Sequence, residues 1–233
     1  MLRILDYPGR RPEAPVTALG LDGMVGLLDD PLPVEGTGPA YAARLDVGPE
    51  PILAYCAASA IAVHLAHRSA RPNPLVLFDP MPATDDDIAR AYADAVAQVP
   101  GGSEEPLPFD ELPSEPMQFL DSVRADLKRR VDTALRAQGL SGDVIAEPAA
   151  HFVRQHLSYL SYLLAARGAL PDGPVGPMLQ VLSREHSDHH GWLPSGQLTT
   201  LRIDSDRAGL TAHEAARSGT ASFLATVMRR QHI

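Results

Sequence analysis

PILAYCAASAIAVHLAHRSARPNPLVLFDP, residues 51–80, is the stretch whose reading decides the fold. Ile52–Tyr55 is a short apolar run, Cys56–Ser59 a patch of small residues, and Ile61–His67 follows a helical period. Leu75–Phe78 is a second apolar run that stops at Asp79-Pro80. Neither run alternates apolar with polar residues, as expected for strands covered on both faces. A strand, a helix and a strand within about 30 residues is the right-handed parallel crossover. A potentially reactive thiol falls at its first turn and a carboxylate at the end of its second strand.

Outward from this unit, Leu2–Leu5 predicts a strand ending at Asp6, followed by the turn Tyr7-Pro8-Gly9. Val16–Leu28 is apolar but broken by Gly20, Gly23 and Gly26, and gives no clear element. Residues 29–39 read as a loop and Ala40–Leu45 as a short helix. Ala83–Val99 predicts a helix capped by Thr84, with Asp85–Asp87 at its positive end. Met117–Gln138 and Pro148–Arg167 predict two long helices, closed by Gly139 and Gly168. Met178–Leu182 and Gln197–Ile203 read as strands, and the helix from Thr211 closes the chain. The expected division is a core of residues 1–83 and 170–233, with a helical insertion over 84–169.

Composition narrows the function classes. Of 233 residues 45% are hydrophobic and 21% charged, ordinary for a globular chain able to bury a core. A formal net charge of −9 offers no basic stripe for phosphates, so nucleic acid is not an expected partner. One cysteine, Cys56, excludes an intrachain disulfide. No apolar run approaches the ~20 residues needed to span a bilayer, and the N-terminus lacks a signal-peptide pattern. A cytoplasmic protein that needs no membrane, metal or other cofactor is the expectation.

Four places resemble the thioesterase branch of the α/β-hydrolases, enzymes that release or edit acyl groups on carrier proteins in polyketide and nonribosomal peptide synthesis. Leu5-Asp6-Tyr7-Pro8-Gly9-Arg10 resembles an early strand and its Pro-Gly-Arg turn. Ala54-Tyr55-Cys56-Ala57-Ala58 lies where the G-x-S-x-G nucleophile elbow belongs. Leu75–Asp79 resembles the next strand, whose terminal Asp is the triad acid in this branch. The helical insertion is similar to the family's lid, and Thr200–Met228 to the last strand, triad-His loop and closing helix. The resemblance implies an α/β fold: a mostly parallel sheet flanked by helices, with a helical lid and a truncated N-terminal part of the sheet.

The departures carry as much information. Alanines stand at both elbow glycines, Cys56 replaces the serine, and Arg207 of Asp206-Arg207-Ala208-Gly209 stands where the triad His belongs. A thiol needs less activation than a hydroxyl, and a helix N-terminus favours the thiolate. The resemblance implies Cys56 as acyl acceptor, Asp79 as the orienting acid, the Ala57 amide as oxyanion donor and His213 or Arg207 as the partner between them. It also implies Tyr55, Tyr159 and Tyr162 as substrate-binding residues. Each has a plainer reading: a small buried thiol, a turn carboxylate, a surface helix histidine, packing aromatics.

His186-Ser187-Asp188-His189-His190-Gly191 resembles the tail of a metallo-β-lactamase zinc motif, but Arg184 stands at its first His, and a solvated turn explains it more simply. Two functions follow. One is a cysteine-based acyl or aminoacyl transferase or hydrolase acting on thioesters of an acyl or peptidyl carrier protein in bacterial natural-product biosynthesis. The alternative is a catalytically inactive relative that binds a carrier protein or a partner enzyme. An exposed sheet edge would suit a homodimer or a partner chain.

Overall fold

The computed structural model describes residues 1–8, 13–29, 31–71, 73–99, 115–140, 143–172, 175–187, 192–194 and 197–231. Among these, six strands form one sheet: β1 (Leu2–Ile4), β2 (Met24–Gly26), β3 (Ile52–Tyr55), β4 (Leu75–Phe78), β5 (Met178–Leu182) and β6 (Leu198–Arg202). The order is β2-β1-β3-β4-β5-β6 and every pairing is parallel. Parallel pairing demands a crossover between neighbours, and α2 (Ala58–Arg68) supplies it between β3 and β4. The fold is α/β: an all-parallel sheet flanked by helices.

The chain divides into two compact units. The sheet unit comprises residues 1–32, 42–82 and 168–233. β3 and β4 are fully buried, which is why their sequences are unbroken apolar runs. Leu53, Tyr55, Val76, Phe78, Leu179 and Val181 share one face with Val16, Leu19, Leu210 and Leu224. The alternate residues Ile52, Ala54, Leu75 and Leu77 point to the opposite face. There α2 (Ala58–Arg68) lies along β3 and β4, buried from Ala58 to Ala66. On the first face α6 (Glu214–Gln231) packs near β5, with Ala216 and Leu224 in the core and Arg217 Nε donating to Leu19 O at 2.6 Å.

The helical unit comprises residues 33–41 and 83–167. Its helices are α3 (Asp85–Ala97), α4 (Pro116–Ala137) and α5 (Asp143–Arg167), while α1 (Gly38–Ala43) straddles the boundary. α3 opens on a capping box: Thr84 Oγ1 accepts from Asp87 N, and Asp87 Oδ2 accepts from Thr84 N. α4 closes on Gly139 at φ +82°, with Leu140 N donating to Leu135 O, the left-handed stop that glycine permits.

Three local expectations need correction. The glycine-broken stretch after Val16 holds a 3-10 turn (Val16–Leu19) and then the edge strand β2. α5 begins at Asp143, five residues before Pro148, so Pro148 is inside the helix and not at its first position. Residues 211–213 form turns before α6 rather than its first turn of helix.

Candidate active site

Parallel register brings the carboxyl ends of β3, β4, β5 and β6 to one edge of the sheet, the usual place for chemistry in such folds. Cys56 follows β3, with its amide donating to Phe78 O at 2.8 Å. Its φ is +54°, and Ala57 returns to φ −60°, ψ −29° to start α2. A left-handed non-glycine residue costs about 1–2 kcal/mol. The buried β3 ladder and the buried α2 hold the chain on both sides and enforce it. The small side chains of Ala54, Ala57 and Ala58 leave room for so sharp a turn. The result is an elbow with a half-buried thiol at its tip. The Ala57 amide donates to no protein acceptor among the described residues.

Asp79 follows β4 and also has positive φ, +41°. It is fully buried, so its charge must be met by hydrogen bonds. Ser183, the residue after β5, provides two: its amide to Oδ1 at 2.7 Å and its hydroxyl to Oδ2 at 2.6 Å. His186 Nδ1 stands 3.5 Å from Oδ1. Arg207 Nε stands 3.7 Å from Oδ2.

Arg207 links the two positions. Its Nη2 lies 3.6 Å from Cys56 Sγ and 3.3 Å from Met81 Sδ, while Nε lies 3.8 Å from Glu13 Oε2. Its main-chain amide donates to Glu185 Oε2 at 3.3 Å, which anchors the loop after β6. Burial works against the guanidinium's charge, but Tyr55, Cys56 and Glu13 around it outweigh burial and raise its pKa above the ordinary value. Arg207 is thus a fixed cation. Tyr55 donates its hydroxyl to Glu13 Oε2 at 3.2 Å. Burial above all pushes the Tyr55 phenol well above its ordinary pKa, so it stays neutral.

The structure therefore brings Cys56, Asp79, Arg207 and Tyr55 together, with Ala57 beside the thiol. His213 stands apart: it is exposed ahead of α6, where its Nδ1 accepts from Ala215 N at 3.2 Å. Tyr159 and Tyr162 belong to the helical unit, where their rings stack at 6.2 Å and Tyr162 meets the Tyr41 ring edge-on at 6.3 Å. Gly9 and Arg10 of the early turn, and Asp188, His189, His190 and Gly191 of the zinc-like motif, lie outside the described residues.

Three members escaped the sequence. Ser183 is the residue after β5, as Asp79 is after β4, and that shared position was the available signal. Glu13 sits on the loop after β1, where nothing in its sequence context marked it. His186 drew attention as a metal ligand and not as a neighbour of Asp79.

The sequence matches no protein-family model and no curated protein. Solved structures do match the fold. One is a four-domain nonribosomal peptide synthetase bound to AMP and glycine, with a TM-score of 0.52 and 16% identity; the match covers 97% of this chain and 19% of that one. The chain thus spans about a fifth of that protein's length. The NocB thioesterase domain, in covalent complex with a fluorophosphonate nocardicin G analogue, matches at TM-score 0.47 and 17% identity, covering 98% and 94% of the two chains. An epoxide hydrolase of the α/β-hydrolase superfamily from hot-environment metagenomes matches at TM-score 0.43 and 13% identity, covering 96% and 89%.

Proposed function

We propose that the chain is a thioesterase-like acyl transferase in which Cys56 accepts an acyl or aminoacyl group from a carrier-bound thioester. The observation that supports this is Arg207 Nη2, 3.6 Å from Cys56 Sγ at the tip of a strained elbow. A guanidinium beside a sulfur at a helix start favours the thiolate. The thiolate attacks the thioester carbonyl, with the Ala57 amide receiving the developing oxyanion. The C–S bond to the carrier breaks, the departing pantetheine thiolate takes a proton from solvent, and the acyl group remains on Cys56. A neutral amine acceptor, which attacks without a base, then takes the acyl group, gives its proton to solvent and returns the thiolate. Asp79 keeps Arg207 in place, and Tyr55 lines the entrance beside Glu13.

Arginine does not accept a proton near neutral pH, so no base at this position activates water. Transfer is therefore favoured over hydrolysis. This reading assigns the reaction to bacterial natural-product biosynthesis in the cytoplasm. A second reading, a catalytically inactive carrier-binding relative, draws on the same substitution: Arg207 already faces Asp79 and Glu13, and both carboxylates compete with the sulfur for it.

Intact-mass spectrometry separates the two. Incubation with acyl N-acetylcysteamine thioesters should add one acyl mass to the wild type and none to Cys56→Ala. A wild type that stays unmodified while binding an acylated carrier protein would leave only the second reading.

A further inference from the structure

The helical unit holds a cavity of about 370 Å³ that the chemistry of Cys56 does not involve. Its size falls in the range that takes a small molecule. Ala149, Val153 and Leu157 recur every fourth residue on α5 and line one wall, with Val34 contributing from the segment before α1. These side chains offer no hydrogen bond. Arg124 and Lys128 of α4 and Arg154 of α5 also line it, with Asp132 as the acidic member. Two of the cations are matched: Arg124 Nη1 lies 2.5 Å from Asp121 Oδ1 and Lys128 Nζ 2.7 Å from Asp132 Oδ2. The Arg154 guanidinium has no ion partner among the described residues.

We infer that this cavity binds a fatty carboxylate, its apolar chain against Ala149, Val153, Leu157 and Val34 and its single charged head on Arg154. An apolar wall without donors rejects a polar arm such as pantetheine, whose amides would be stranded there. One unmatched guanidinium suits one carboxylate, which it can hold through two parallel hydrogen bonds. A locally positive mouth on a chain of net charge −9 selects that sign of head group. The inference does not rest on the acyl-transfer reading.

The test is a titration of the full chain with decanoate below its micellar concentration, followed by calorimetry, with decanol and phospholipid vesicles in parallel. Saturable one-to-one binding of decanoate is expected, with decanol and Arg154→Gln each weaker by about tenfold. Val153→Trp fills the cavity and should abolish binding; Ala150→Leu, at an exposed lining position, provides a second blocked variant if the first does not fold. Cys56→Ala should bind as the wild type does. Equal affinity for decanol, binding to vesicles alone, no saturation, or unchanged binding in the folded blocked variants would overturn the assignment.

Discussion

Arg207 stands between the Cys56 sulfur and the Asp79 carboxylate. A guanidinium reaches the sulfur and the carboxylate as an imidazole would, yet it contributes only positive charge. Replacing it by glutamine removes that charge and keeps a donor. Alkylation of Cys56 by iodoacetamide at neutral pH should then slow by about tenfold and recover as pH is raised. A rate independent of the substitution would show that the contact does not tune the thiol. The backbone at Cys56 allows a separate check. At φ +54° glycine is at ease and alanine is not, so Cys56→Gly should be more stable than Cys56→Ala by roughly 1 kcal/mol in denaturant unfolding. Cys56, Asp79 and Arg207 were legible because each sits at a strand end or in the loop that follows one. Glu13, Ser183 and His186 were not, because what brings them in is the pairing of strands far apart in the sequence, which single-sequence periodicity does not encode.

Whole elements follow the same logic. β3 and β4 were read at their observed limits because full burial leaves an unbroken apolar signature, and β5 was read at its limits although half-buried Gln180 interrupts its apolar run. β2 was hidden: it is a three-residue edge strand ending in glycine, largely exposed, and stabilised by backbone pairing with β1 rather than by its side chains. In α2, burial first and the neighbouring His67 second hold the His64 pKa below its ordinary 6.5. Between that lowered value and 6.5 the unfolded chain binds a proton that the folded chain refuses, so stability falls as pH drops through this window. His64→Leu should flatten the dependence of melting temperature on pH between about 7 and 5; an unchanged slope would assign it to other groups. On α4, burial tends to raise the Asp126 pKa, but donors from Tyr92, Arg130 and Arg129 more than offset it and the net direction is down. Its stabilising contribution is therefore in place above 3.8 and is lost as pH falls through the lower folded value. Arg130 Nε reaches it at 2.6 Å, and both side chains are buried. Asp126→Asn takes a charge partner from a buried guanidinium and should cost about 3 kcal/mol, against at most about 1 kcal/mol for the half-exposed Arg129→Gln.

At the scale of the whole molecule, the parallel sheet gathers a thiol, a fixed cation and a buried carboxylate at one edge. No helix among the described residues is long and apolar enough to cross a membrane. If Cys56 takes an acyl group, the two half-reactions are unequal. Acylation needs only the thiolate and an oxyanion donor, both local to the elbow. Hydrolytic deacylation needs a base for water, and Arg207 does not act as one. A thioester substrate should therefore give a burst of about one equivalent of released thiol, followed by slow turnover. Hydroxylamine, which attacks a thioester without base assistance, should raise the slow phase and leave the burst unchanged. Arg207→His places an imidazole in the same gap and should raise the hydrolytic steady state relative to the burst. Steady release with no burst in the wild type would mean that another group activates water, and His186, 3.5 Å from Asp79, would be the first to substitute.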